Sequence, residues 1–323
     1  MALSYEFSIG SVRAREKSLF TSADIEQLRS YKSVDDVRRF LIDKGYGDGS
    51  DIDEIIADHT EKVWDYLKSV APDITVFDPF FLVNDVHNFK VTLKGTMSGR
   101  KYDELIAAPN TIDPEVIKQS VEHKKFSLLP DWLAKPAQEA YDIIATKGDA
   151  RESDAVVDKA VMQETLRITE EFSSDFLKQY FRTQIFYNNI KIALRSSRTG
   201  VTADYLNKAF CDVAEFRKAS VISAALKGSE ALTDELSKYS EYDCSRAMEK
   251  FRLSPTLFEK FVDDRLILLA KESCKRTSEG AEPIIGYYLG CEAEKKVIHI
   301  ITSGIRTNTE TETIRERLRE IYG

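Results

Sequence analysis

Two adjacent pairs of aspartates come closest, by residue type and spacing, to a catalytic motif in this sequence. Asp35-Asp36 and Asp263-Asp264 both lie in segments with helical periodicity, and two carboxylates one helical turn apart can hold Mg²⁺ against a diphosphate. Successive helical residues are rotated by about 100°, so at most one carboxylate of each pair faces inward. No aspartate follows either pair one turn later. We therefore interpret both pairs as solvated helix faces.

The glycine-containing segments do not match a nucleotide or calcium loop. Lys94-Gly95-Thr96 and Lys227-Gly228-Ser229 lack the glycine spacing and the preceding strand of a phosphate-binding loop. The run from Gly45 to Glu54 does not place acidic residues at alternate positions ahead of a glycine, as a calcium loop does. We interpret this run as a helix end, a turn and the N-cap of the next helix.

Histidines and cysteines are too dispersed to form a metal or redox site. Each histidine lacks a His or Cys three or four residues away; these residues are His59, His87, His123 and His299. Successive cysteines are 33, 30 and 17 residues apart, which excludes a CxxC motif and is typical of reduced, buried thiols. The sequence therefore predicts no catalytic residue, no metal ligand and no cofactor.

Composition limits the class of protein. The chain has 323 residues, of which 42% are hydrophobic and 31% charged, enough for two or three ordinary cores. The net charge of -8 disfavours binding to nucleic acid, whose phosphates require a basic face. No apolar run reaches the roughly 18 residues of a membrane span, and Met1 to Glu6 does not begin a signal peptide. We expect a cytoplasmic protein without direct membrane insertion.

The elements that carry these residues are predicted to be helices throughout. Only 14 Gly and 8 Pro interrupt the chain, and β-branched residues do not alternate as they would in strands. Residues 149–199 contain neither Gly nor Pro, which predicts one long or gently kinked helix of up to about 60 Å. Long helix pairs are predicted at 51–70 with 80–94 and at 255–275 with 283–303. The fold class is therefore all-α.

A short motif recurs along the chain. Asn88-Phe89-Lys90-Val91-Thr92-Leu93-Lys94-Gly95 returns as Asn189-Ile190-Lys191-Ile192-Ala193-Leu194-Arg195-Ser196. Weaker copies lie at 13–17 and 297–304, and the four copies are 75, 101 and 108 residues apart. These intervals are domain-sized. We predict three similar helical domains at 1–80, 81–175 and 176–323, the last with a C-terminal partial repeat, and equivalent surroundings for Asn88 and Asn189.

The repeats place cations near predicted helix ends, and we call this set the basic helix ends: Arg13, Arg15, Lys90, Lys94, Lys191 and Arg195. Within each of the two strong copies the cations are four residues apart and share a helix face. Cations near a helix C-terminus are stabilised by the helix dipole by about 0.3 to 1 kcal/mol, which explains them without a partner. The alternative is that they form an interface for an acidic or polar partner.

The C-terminal segment resembles a known family. Its features are Pro283-Ile284-Ile285-Gly286-Tyr287, spaced glutamates at Glu292 and Glu294, and a closing run from Glu312 to Leu318. With Tyr5, Arg13-x-Arg15 and the internal Asn-x-Lys motifs, they resemble the C subunit of the V/A-type rotary ATPases, the counterpart of the d subunit in eukaryotic vacuolar enzymes. The sequence departs from this family at Val297-Ile298-His299, where the family has Asn-Ile-Arg, and at Gly304-Ile305, where it has Gly-Lys.

This resemblance implies a funnel of three similar domains with approximate threefold symmetry. It implies that the chain has no active site and forms a socket in the central stalk. Its partners would be the central shaft subunits and the membrane proteolipid ring, which it would couple for ATP-linked proton or sodium transport while remaining peripheral to the membrane. Two other classes stay open: a helical adaptor or scaffold unrelated to rotary ATPases, and a helical hydrolase or transferase with an unrecognised site.

Overall fold

The computed structural model describes residues 4–323, and every regular element in that range is helical, which confirms the all-α prediction. Residues 1–3, where the sequence predicts no signal peptide, lie outside the described residues. The first eight α-helices are α1 (Tyr5–Glu16), α2 (Ser22–Ser30), α3 (Val34–Asp43), α4 (Ile52–Val70), α5 (Asp78–Ser98), α6 (Pro114–Glu122), α7 (Asp131–Lys147) and α8 (Ala150–Glu171). The next eight are α9 (Asp175–Ser196), α10 (Ala203–Ala209), α11 (Lys218–Lys227), α12 (Ser229–Leu236), α13 (Cys244–Leu253), α14 (Pro255–Cys274), α15 (Glu282–Arg306) and α16 (Thr311–Arg317). Short 3₁₀-helices lie at Ile74–Phe77, Asp103–Leu105, Phe126–Leu128 and Ser240–Tyr242.

The described chain forms two compact units. The first unit joins residues 4–76 to residues 247–323, and the second consists of residues 77–246. Both ends of the described chain therefore belong to the same unit. The three-domain division at 1–80, 81–175 and 176–323 and the funnel arrangement stay predictions.

Polar caps fix several helix starts where the sequence predicts them. The Asp51 side chain accepts the Glu54 amide at 2.9 Å and begins α4, which confirms the turn and N-cap interpretation of this run. Ser254 caps α14 in the same way, and prolines occupy the first turn of α5, α14 and α15. The predicted helix pairs are therefore present, with ends shifted by a few residues.

The prediction of one long helix across 149–199 is wrong. Two helices, α8 and α9, pack against each other and are separated by residues 172–174. Phe172 leaves the helix in an extended conformation, and the Ser174 hydroxyl accepts the Leu177 amide at 3.2 Å to begin α9. An extended residue thus ends α8, and a serine N-cap begins α9, without any glycine or proline between them. The short connection makes α8 and α9 antiparallel.

In the first unit, α15 runs through the core, and two glycines bring other segments close to it. A methyl group at Gly286 would lie 2.6 Å from the Cys274 Cβ and 2.3 Å from the Tyr322 hydroxyl oxygen. One at Gly290 would lie 2.8 Å from a methyl carbon of Leu19. The glycine face of α15 is therefore the surface on which α14 and the C-terminal tail pack.

The second unit contains two groups of packed helices. Around α5, the apolar side chains of α6, α7 and α8 form a core that includes Phe89, Phe126 and Leu133. Around α9, the core is aromatic: Phe186 packs on Phe216 and Tyr239 with ring centroids 5.9 and 5.2 Å apart. Thus α5 and α9 each form the centre of one group of packed helices.

A buried carboxyl group links two loops of the first unit. Glu294 of α15 accepts hydrogen bonds from the Phe20 amide, between α1 and α2, and from the Tyr46 hydroxyl, between α3 and α4. Burial raises the pKa of Glu294 to about 7. The His59 ring stacks on Tyr46 with centroids 3.7 Å apart. Burial, together with the nearby charge of Lys62, lowers the pKa of His59 to about 4.

Adding a methyl group at Gly286 should destabilise the protein. Because the Cys274 Cβ is attached directly to the backbone and cannot rotate away, we expect Gly286→Ala to lower the free energy of unfolding by about 1–3 kcal/mol. Gly10→Ala is the matched control, since Gly10 lies exposed within α1 with no atom near the added methyl. It should be neutral or stabilising by up to about 1 kcal/mol. Urea unfolding of both variants measures the difference, and equal midpoints would contradict the close approach.

Replacing Glu294 with glutamine should change how the free energy of unfolding depends on pH. The pKa of an ordinary glutamate is near 4.5, so Glu294 binds its proton more tightly in the folded than in the unfolded chain. Its contribution to the free energy of unfolding is therefore lost as pH rises from about 4.5 to 7. Neutral His59, ordinarily near 6.5, has the opposite effect, since its contribution is lost as pH falls from about 6.5 to 4. The two slopes nearly cancel in the unaltered chain.

Glu294→Gln keeps an acceptor for the Phe20 amide and a donor for the Tyr46 hydroxyl oxygen. As pH rises from about 4.5 to 7.5, the free energy of unfolding of this variant should increase by about 3 kcal/mol relative to that of the unaltered protein. His59→Phe preserves the ring stack and removes only the titration of His59, which opposes that of Glu294. The free energy of unfolding of this variant should therefore decrease as pH rises over this window. Urea unfolding at several pH values provides the test. Parallel curves for Glu294→Gln and the unaltered protein would show that Glu294 does not titrate as described.

Candidate interaction surface

Asn88 and Asn189 bind the backbone of a later loop in the same way. The Asn88 side chain donates to the Ala107 carbonyl at 3.0 Å and accepts the Ala107 amide at 2.7 Å. The Asn189 side chain donates to the Cys211 carbonyl at 2.8 Å and accepts the Cys211 amide at 3.1 Å. Both asparagines are fully buried. The prediction of equivalent surroundings for the two residues is confirmed.

Two buried carboxyl groups also bind loop amides, and the sequence analysis did not identify this role for either of them. Asp85, one turn before Asn88, accepts the amides of Thr111 and Ile112 at 2.9 and 3.0 Å. In the weak copy on α15, Val297 stands where the strong copies have asparagine, and Glu294 lies one turn before it. Burial raises the pKa of Asp85, as it does that of Glu294. The available signal was an acidic residue on an otherwise apolar helix face.

Lys90 and Lys94 of α5 reach across to α8. The Lys90 ammonium lies 2.6 Å from an Asp158 oxygen, and the Lys94 ammonium lies 2.7 Å from an Asp154 oxygen. Residue numbers rise along α5 as they fall along α8, so these two helices are antiparallel. Because α8 and α9 are also antiparallel, α5 and α9 run in the same direction with α8 beside both.

Lys191 and Arg195 of α9 line a cavity of about 330 Å³ that also includes Asp158. We call this cavity the α5–α9 groove, since residues of α5, α8 and α9 line it. The rings of Phe80 and Phe181 lie 4.8 Å apart, which brings α5 and α9 together at their N-terminal ends. Asp158 is thus the ion-pair partner of Lys90, and it lines the same cavity as Lys191 and Arg195.

Arg13 and Arg15 lie in the first unit and have different surroundings. The Arg13 guanidinium donates to the carbonyl oxygens of Cys274 and Thr277 at 2.6 and 2.9 Å, at the C-terminal end of α14. The Arg15 guanidinium lies 3.8 Å from the centre of the Tyr66 ring and remains exposed. Arg13 therefore holds a helix end, while Arg15 stays accessible at the surface. Whether either cation meets a partner stays a prediction.

The aspartate pair in α14 is not a solvated helix face, and that interpretation is wrong. Asp263 accepts Lys296 at 2.7 Å and Arg319 at 2.9 Å, while Asp264 accepts the Glu320 amide at 2.8 Å. Both carboxylates therefore hold the C-terminal tail. Periodicity failed here because the tail that covers this face has no helical pattern of its own.

Within residues 4–323, no group of three His, Cys, Asp or Glu side chains is arranged to hold a metal ion. The same residues include no helix long and apolar enough to cross a bilayer. The four cysteines are free, buried thiols, as predicted.

Comparison with known proteins gives a consistent set of relatives. The family described as ATP synthase (C/AC39) subunit matches residues 8–317. The C subunit of the V-type sodium ATPase of Enterococcus hirae is 21% identical over 319 residues, covering 96% of this chain and 97% of the relative. The C subunit of the A-type ATP synthase of Methanocaldococcus jannaschii is 23% identical over 346 residues, covering 97% of this chain and 86% of the relative. The C subunit of the V-type ATP synthase of Thermus thermophilus is 22% identical over 160 residues, covering 48% of this chain and 49% of the relative.

Substituting Arg13 and Arg15 separately should distinguish their roles. Arg13→Met leaves carbonyl oxygens at the end of α14 without their charged donor, so we expect the free energy of unfolding to fall by about 2 kcal/mol. Arg15→Met removes an exposed cation–π contact and should cost less than about 1 kcal/mol. Urea unfolding measures both. Equal losses would mean that Arg13 does not hold the end of α14.

Proposed function

This chain belongs to the ATP synthase (C/AC39) subunit family, and we propose that it is the C subunit of a V/A-type rotary ATPase, coupling the rotating shaft to the membrane proteolipid ring. Members of this family are structural stalk subunits rather than catalytic ones. The single observation that carries the proposal is the family match across residues 8–317. In this role the chain forms a socket for the shaft, remains peripheral to the membrane and contributes to proton or sodium transport.

The internal structure of the second unit suits a part that transmits torque. Such a part must transmit an applied force without deforming, so its loops have to be as rigid as its helices. Asn88 and Asn189, both buried, tie long loops to their helices through paired hydrogen bonds, and leaving such buried side chains unpaired is costly. The helix ends and the loops that follow them should therefore move together under load.

The basic helix ends are the surface that we propose for docking. Lys90 and Lys94 lie in the C-terminal half of α5, ahead of its last turn, whereas Lys191 and Arg195 lie in the last two turns of α9. Arg15 is exposed on α1. Surface ion pairs each contribute a fraction of a kcal/mol, so several are needed for a stable complex. Arg13 would act mainly by holding α14 in place. His299, where the family has a basic residue, is exposed on α15.

Co-purification from native membranes tests the functional assignment. The chain, carrying an affinity tag, is expressed in its source cells, and the complex is isolated in mild detergent. Shaft subunits and the ring proteolipid should be recovered in constant ratio to the tagged chain. Recovery of the chain without either partner, from membranes that contain an intact ATPase, would reject the assignment.

Neutralising the basic helix ends of the second unit should weaken docking. Lys90, Lys94, Lys191 and Arg195 are changed together to glutamine, with Asp154→Asn and Asp158→Asn to avoid unpaired carboxylates. We expect weaker reassembly with membranes stripped of their peripheral subunits, and nearly normal reassembly for single substitutions, because each contact contributes little. ATP-driven ion pumping per bound chain measures the effect at two salt concentrations.

The control neutralises four cations elsewhere on the same unit: Lys101, Lys125, Lys135 and Lys227. All four are exposed. This variant should reassemble and pump normally. If the basic-end variant also reassembles and pumps normally, its cations serve only the helix ends on which they lie.

A further inference from the structure

Two lysine side chains from different helices meet at the C-terminal end of α10. The Lys159 ammonium of α8 donates to the Asn207 carbonyl oxygen at 3.0 Å, and the Lys218 ammonium of α11 donates to the Phe210 carbonyl oxygen at 3.3 Å. These carbonyls are three residues apart and lie in the same final turn of the helix. The two ammonium groups are therefore close in space and repel each other.

The two lysines differ in their charged partners. Lys218 lies 3.3 Å from an Asp212 oxygen, whereas Lys159 forms no ion pair with a carboxylate within residues 4–323 and donates instead to the Asn207 carbonyl. Burial, together with the charge of Lys218, lowers the pKa of Lys159, while Asp212 and Cys211 act in the opposite direction. The neutral form of a lysine amine is its nucleophilic form, and both burial and a neighbouring cation favour it.

The thiol of Cys211 does not compete as a nucleophile. It is buried, and burial raises its pKa to about 12, so it stays protonated at neutral pH. The Lys159 side chain is only half-buried. The Lys159 Nζ is therefore the nucleophile at this place that a small electrophile can reach from solvent.

We propose that Lys159 is a site of acylation by a small acyl thioester of the acetyl-coenzyme A type. The neutral Nζ attacks the thioester carbonyl carbon, a C–N bond forms and the C–S bond breaks. The thiolate leaves and takes up the proton that the amine loses. The product amide is uncharged, so it no longer repels Lys218, and it keeps one N–H for the Asn207 carbonyl oxygen. Lys218 still supplies the positive charge that the end of α10 favours.

This site lies within the second unit and does not depend on the rotary ATPase assignment. Acetyl-coenzyme A, added to the full chain without any enzyme, tests it, and peptide mass spectrometry measures the initial rate of acetylation at each lysine. Lys208 is an internal control of opposite character, because its hydrogen bond to Glu152 raises its pKa. Lys159 should react about threefold or more faster than the exposed lysines, and Lys208 more slowly than they do. The exposed set is Lys101, Lys125, Lys135 and Lys227.

A rate at Lys159 no greater than that of the exposed set would overturn the proposal. Trace labelling with acetic anhydride then tests the cause, because it reports the neutral fraction of each amine as pH changes. The ratio of labelling at about pH 8 to that at about pH 10 should be about twofold or more higher for Lys159 than for the exposed set. Equal ratios would also overturn the proposal, since Lys159 would then titrate as an ordinary lysine.

Two substitutions should change the reactivity of Lys159 in opposite directions. Lys218→Met removes the neighbouring cation and should slow acetylation of Lys159 about twofold or more. Asp212→Asn removes an exposed carboxylate that opposes this effect and should accelerate it. Lys227→Met, an exposed change on the same helix as Lys218, is the matched control and should leave the rate unchanged. An unaltered rate in both Lys218→Met and Asp212→Asn would overturn the proposal.

Cys211→Ser separates direct attack from transfer through the thiol. Because the serine hydroxyl is a poor nucleophile towards thioesters and nearly the same size as the thiol, acetylation of Lys159 should continue at the unaltered rate. A loss of acetylation in this variant, with the urea midpoint unchanged, would mean that Cys211 accepts the acyl group first. That result would overturn the assignment of Lys159 as the attacking nucleophile.

Discussion

The second unit depends on one interaction, a buried asparagine on a long helix that binds both backbone groups of one residue in a later loop. A carboxamide supplies one acceptor and one donor in a fixed plane, which matches an amide and a carbonyl of the same residue. Asn88 holds Ala107 and Asn189 holds Cys211 in this way. Without the asparagine, the buried backbone groups of Cys211 would be left unpaired at a cost of about 1–3 kcal/mol each, and the half-buried groups of Ala107 at a smaller cost. The first unit achieves a similar result with Glu294, which accepts the Phe20 amide.

This interaction explains why a chain with long connections can be a rigid part. In the loop after α5, Leu105 is largely exposed and Ile106 is only half-buried, so burial alone would not fix the loop. The paired hydrogen bonds from the buried Asn88 side chain hold it to the helix. The cations at the same helix ends are then held in defined positions, either to stabilise those ends or to meet a partner.

Local sequence signals predicted much of the fold, whereas contacts between residues far apart in the sequence were not predicted. Caps and prolines identified α4, α5, α14 and α15, and the repeated Asn88 and Asn189 were found by their spacing, because both kinds of signal lie within a few residues. The break at 172–174 was missed because an extended phenylalanine before a serine cap leaves no mark in the periodicity. The carbonyl partners of Arg13 are about 260 residues away in sequence, and the Asp263-Asp264 pair meets a tail without any pattern. Such contacts depend on the packed fold and not on the local sequence.

Amide hydrogen exchange at Ala107 and Cys211 tests most directly whether the two asparagines hold their loops. Both amides lie outside the α-helices, yet each donates to a buried side chain, so exchange requires the pair to open. We expect protection similar to that of amides at the centres of α5 and α9, lost only when the unit unfolds. Exchange as fast as that of exposed loop amides would contradict the account, because the loops would then move independently of the helices that are said to hold them.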